Sequence, residues 1–109
     1  NALMPIVRVC RFYGFPAGGP NSHFFTADPV ECDDVKRAAG WYFEGIGFYV
    51  PPIVSFGQCR PGQLHVLRAY NARGASNDSN HRYSTSDSVM REMARRDWIV
   101  EGTGWCSWP

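Results

Sequence analysis

The sequence predicts a small α+β domain of two tandem β-β-α-β repeats, packed with pseudo-twofold symmetry and stapled by disulfides. Three observations predict it. The stretch GWYFEGIGF at 40–48 returns as DWIVEGTGW at 97–105, and matching blocks precede each copy: VCRFYG and NSHFFT before the first, VLRAYN and SNHRYS before the second. The blocks alternate apolar and polar residues, as strands do, and each copy carries one capped helix. Four cysteines sit in a chain of 109 residues, a length at which one half alone is too small for a stable core.

A separation of 57 residues relates Arg11 to Arg68, Tyr13 to Tyr70, Trp41 to Trp98 and Glu44 to Glu101, and one of 58 relates His23 to His81. Recurrence at fixed register marks an architecture of stacked units. The chain therefore reads as a single domain, 1–109, with repeat 1 at 5–50, a proline- and glycine-rich linker at 51–63, and repeat 2 at 64–109.

Taken in order, IVRVCRFY is rich in β-branched and aromatic residues, with Arg8, Cys10 and Phe12 on one face and Val9, Arg11 and Tyr13 on the other. HVLRAY is its counterpart. The segments GFPAGGPNS and NARGASNDSN read as loops leading into the short strands HFFTA and HRYST. A helix follows, with Asp28 as N-cap, Pro29 at the first helical position, Glu31 in capping-box position and Gly40 as the C′ residue. In the second copy Ser86 is the cap, and Met90 and Met93 occupy the places of Cys32 and Val35, three apart on one core-facing side. Each helix leads into a last strand, where the two glycines signal a bulge or a close backbone approach. Trp41 and Trp98 open these strands and are expected in the core.

A net charge of +1 offers no basic face for nucleic acid, and no apolar run is long enough to span a membrane. The opening residues NALMPIV lack the architecture of a signal peptide, so any signal is expected to have been removed. Cys10, Cys32, Cys59 and Cys106 contain no CxxC pair and no Cys/His cluster, which argues against zinc and for two disulfides made in an oxidising compartment. Of three connectivities, the repeat favours Cys10 with Cys32 and Cys59 with Cys106: the counterparts of Cys10 and Cys32 are Leu67 and Met90, an apolar contact that a bridge would replace.

The blocks RFYG, SHFFT and GWYFEGIGFYV resemble a family of secreted repeat domains whose unit runs RxYN, a loop, HFYT, a short helix and GWxxEGxxxY. The second unit departs from that pattern, with HRYS for HFYT, DW for GW and Cys106 in place of a tyrosine. The resemblance implies an accessory module of a bacterial or fungal extracellular protein, secreted or at the cell surface, and supplies no ligand.

No GxSxG, HExxH or phosphate-binding glycine loop occurs, so no enzyme activity, metal or cofactor is expected. Glu44 and Glu101 are better read as partners of the recurring Arg11 and Arg68 than as a glycosidase pair. His23 and His81 are read first as caps of their loops. Aromatics reach 15 % of the chain, more than a small core can hide, leaving Tyr13, Tyr42, Tyr70 or Trp108 as flat surfaces beside polar groups. Rings beside His, Glu and Arg suit a sugar, whose C–H face stacks while its hydroxyls take directional hydrogen bonds. The expectation is a noncatalytic module for polysaccharide or cell-wall glycan, through Tyr13, His23 and Glu44 in the first unit and Tyr70, His81 and Glu101 in the second. The alternative is a protein-interaction or spacer domain that meets other domains of the same secreted protein.

Overall fold

The structure is a computed structural model, and it describes residues 6–15, 22–54, 57–72 and 80–109. The loops expected at 14–22 and 71–80 lie largely outside the described residues. Eight elements run in the order β1 (Val7–Gly14), β2 (His23–Thr26), α1 (Pro29–Lys36), β3 (Trp41–Val50), β4 (Leu64–Tyr70), β5 (His81–Ser84), α2 (Asp87–Arg95) and β6 (Ile99–Ser107). They form two three-stranded antiparallel sheets, ordered β2-β1-β3 and β5-β4-β6.

The same local chemistry shapes both sheets. Register shifts fall between Val9 and Cys10 and between Arg11 and Phe12 in β1, and between Val66 and Leu67 and between Arg68 and Ala69 in β4. Opposite the central arginine of each stands a glycine with positive φ, Gly45 at 98° and Gly102 at 88°. That conformation is open to glycine and strained for residues bearing a Cβ, which accounts for the first glycine of each EGxG motif.

Both helices start as the sequence predicts. The Asp28 carboxylate accepts from the Val30 amide at 2.9 Å, and the Ser86 hydroxyl accepts from the Val89 amide at 3.2 Å. Their ends correct the expectation at Gly40. The first helix stops at Lys36 with Arg37 as its cap, so Gly40, at φ 90°, shapes the turn before β3 and is not the C′ residue. In the second copy that role falls to Asp97, at φ 69°. Its amide donates to the Ala94 carbonyl and the Trp98 amide to the Met93 carbonyl, a Schellman closure. The DW variant of the GW motif keeps the left-handed residue, since aspartate tolerates that region better than most side chains.

Cys10 and Cys32 are bridged, as are Cys59 and Cys106, the pairing that the register favours. The first bridge ties β1 to α1 within a buried cluster of Cys10, Phe12, Phe24 and Cys32, flanked by Val35, Trp41 and Phe43. A second cluster, Val9, Val50 and Trp105 with Phe25, Val66 and Tyr83 against it, joins the two halves. The Tyr83 hydroxyl donates to the Phe25 carbonyl at 3.0 Å and accepts from the Phe25 amide at 2.8 Å, sealing backbone groups on the outer edge of β2. Trp41 and Trp98 are half-buried rather than enclosed, because each lies at the margin of its sheet; Trp98 sits under the Arg82 guanidinium at 5.5 Å.

Candidate functional site

Directly opposed residues of an antiparallel pair project to one face. Tyr13 is opposed by His23 on β2 and by Tyr42 on β3, so three rings lie in a row across the first sheet. The Tyr13 and His23 centroids are 5.1 Å apart. Beneath the row, Glu44 Oε1 accepts from Arg11 Nε at 3.0 Å and stands 3.4 Å from His23 Nε2. The expected Arg11–Glu44 couple is therefore formed, and it also holds the imidazole. His23 is 51 % exposed and Tyr42 58 %.

The second unit makes the same set. Arg68 Nε donates to Glu101 Oε1 at 2.7 Å, His81 Nε2 lies 3.6 Å from that oxygen, and the Tyr70 and His81 rings stack at 4.8 Å. Its surroundings differ. Ile99 takes the place of Tyr42, and His81 is only 12 % exposed, with the Phe24 ring of the first unit 4.6 Å from it. Arg68 donates to both oxygens of Glu31, at 2.8 and 3.2 Å, and its guanidinium lies over Phe24 at 5.1 Å. A cleft of about 240 Å³ between Phe24, Glu31, Val35 and Trp41 on one side and Arg68, Tyr70, His81 and Glu101 on the other marks this junction.

The spacing from Asp28 predicts a capping-box role for Glu31, and the structure gives it a different partner. Its carboxylate reaches across to Arg68, an arrangement that spacing along one helix cannot reveal. Burial raises the Glu31 pKa, but hydrogen bonds from Arg68 and Thr26 and the Arg68 charge outweigh it and hold the carboxyl below its ordinary value. Arg68 answers in kind: burial lowers its pKa, and its bonds and charge interactions with Glu31 and Glu101 raise it on balance. Burial, then the Arg68 charge, pushes the His81 pKa down to about 4, so the ring is neutral near pH 7. His81 Nδ1 is buried with no hydrogen-bond partner among the described residues, and its ring stacks on Tyr70; the loop it is expected to cap lies largely outside those residues.

Among the described residues no cluster of His, Cys, Asp and Glu could hold a metal ion, and no helix is long and apolar enough to cross a membrane. The fold and site thus define a small, disulfide-bridged α+β domain with two Arg–Glu–His–Tyr constellations, one open and one covered, and its disulfides point to an extracellular protein. The chain belongs to the family described as Domain of unknown function (DUF5648), which matches residues 6–109. No curated protein and no solved structure matches it.

Proposed function

We propose that this chain is a noncatalytic accessory module of a secreted protein that binds glycan or cell-wall polysaccharide. The observation that carries this reading is the row Tyr42, Tyr13 and His23 beside Glu44 and Arg11, with Tyr42 and His23 exposed and Tyr13 partly exposed between them. A sugar ring laid on the tyrosines meets an imidazole, a carboxylate and a guanidinium at its rim, which together donate and accept. Glu44 is engaged by Arg11 and His23, a holding arrangement rather than that of a free acid or base.

The repeat is read as a duplication. Equivalent residues meet between the halves, Phe25 with Tyr83 and Phe48 with Trp105, which supports an approximate twofold. The cleft breaks that symmetry. Counterparts of its first-unit wall, Arg82, Val89, Met93 and Trp98, line a separate surface cleft that contains no first-unit residue. The second constellation, closed by Phe24 and Glu31, is in this reading structural, and the first alone meets a ligand.

The deciding experiment is a glycan array with an insoluble-polysaccharide pull-down, using wild type and a Tyr13→Ala, Tyr42→Ala variant checked for folding. Retention by wild type and loss by the folded variant supports the reading. Failure to bind any glycan would shift it to an interaction or spacer domain, which one feature favours: Ile46, Phe48 and Tyr49 are exposed on β3, an outer strand of its sheet.

A further inference from the structure

The second unit contains an occupant of its own constellation, and that occupant is a template. A ring, Phe24, lies 4.6 Å from the His81 ring and 5.1 Å from the Arg68 guanidinium, while a carboxylate, Glu31, takes both terminal nitrogens of Arg68. Such a fork-to-fork pair fixes orientation as well as charge. The first unit presents the same four residue types with nearly the same internal distances. Its Arg–Glu contact is 3.0 Å against 2.7 Å, its His–Glu contact 3.4 Å against 3.6 Å, and its Tyr–His contact 5.1 Å against 4.8 Å. Arg11 is 45 % exposed where Arg68 is 16 %, and among the described residues no second carboxylate reaches it.

We infer that the open first-unit face selects an acidic glycan of the hexuronate type, with the sugar carboxylate on the outer nitrogens of Arg11 and the ring over Tyr13, Tyr42 and His23. This rests on the glycan reading above and gives it a substrate class. The charge balance agrees: Arg68 is shared by two carboxylates and Arg11 has one, so a ligand carboxylate reproduces the balance of the second unit. A further copy of the chain is a poor occupant of this face. At the positions of Phe24 and Glu31 the second unit carries Arg82 and Val89, which bring neither ring nor carboxylate and would set a cation against Arg11.

The test compares oligogalacturonate with its methyl ester, a ligand of the same ring whose carboxyl carries no charge, by calorimetry on the intact chain, with neutral polysaccharides alongside. The acid is expected to bind about tenfold or more tightly than the ester, with the advantage shrinking as salt rises. Arg11→Gln should abolish the preference, Arg11→Lys should restore only part of it, and Arg91→Gln, a change at an exposed residue of α2, should leave it intact. Equal binding of acid and ester overturns the acidic selectivity and leaves the glycan reading standing. Absence of binding to acid, ester and every neutral polysaccharide overturns both. Concentration-dependent self-association abolished by Arg11→Gln would assign the face to a second copy and overturn the proposal. The acid–ester comparison on the wild-type chain decides the matter even if a variant fails to fold.

Discussion

At the scale of single residues, the two arginines share a motif and differ in what depends on them. Arg68 is enclosed and answers to Glu31 and Glu101, whereas Arg11 is half exposed and answers to Glu44. Removing Arg68 strands two carboxylates, so Arg68→Ala should cost about 3 kcal/mol in chemical denaturation. Arg11→Ala should cost under about 1 kcal/mol, as exposed pairs do. Arg68→Met combined with Glu31→Met should cost less than the sum of the two single changes, and simple additivity would show that they are uncoupled. His81 supplies a pH signature. Its pKa is lowered from 6.5 in the unfolded chain to about 4 in the fold, so the stability it contributes is fully present above pH 6.5 and is lost as pH falls toward 4. That loss should be roughly 2 kcal/mol after allowing for screening, and His81→Phe should flatten it in urea titrations between pH 7.5 and 4. Glu31, whose pKa is also lowered, adds a further loss only below its ordinary value of 4.5.

At the scale of elements, the last strand of each repeat separates two uses of glycine. Gly102 has φ 88° with open space where a Cβ would stand, while Gly104 needs no positive φ and would bring a Cβ 3.6 Å from the Val66 carbonyl oxygen, an ordinary contact. Gly102→Ala should therefore cost about 1–2 kcal/mol through backbone strain, and Gly104→Ala markedly less. A larger loss for Gly104→Ala in thermal unfolding would mean that packing, not conformation, keeps this motif. The helices were legible to their caps, since capping depends on neighbours in sequence. Their ends are less so: Gly40 reads as the natural stop of the first helix, yet that helix ends at Arg37, while the second closes in a Schellman turn at Asp97.

At the scale of the whole molecule, the halves are bound through groups that neither can supply alone. The Tyr83 hydroxyl completes the edge of β2, Trp105 joins the cluster of Val9 and Val50, and Arg68 takes the Glu31 carboxylate. A fragment of residues 1–57 would leave Val9, Phe25 and Val50 without their cover, and it should lack a cooperative unfolding transition even with the Cys10–Cys32 bridge intact. A sharp transition with native-like near-ultraviolet dichroism would show that the first unit folds by itself.

The sequence alone determined what depends on period and neighbourhood: the β-β-α-β order written twice, the helix caps, the bulge glycines, and the recurrence of Arg, Tyr, His and Glu at separations of 57 and 58 residues; it favoured the cysteine pairing that the structure contains. These follow from local sterics and from comparing one half with the other. Only the tertiary structure decided that the two constellations are unequal. Phe24 and Glu31 lie far in sequence from Arg68 and His81, and nothing in their own segment marks them as partners; packing one unit against the next carries them there. That packing has a direction, so it covers the second constellation, lowers the basicity of His81 and leaves Arg11, His23 and Tyr42 facing solvent with Tyr13 partly exposed between them.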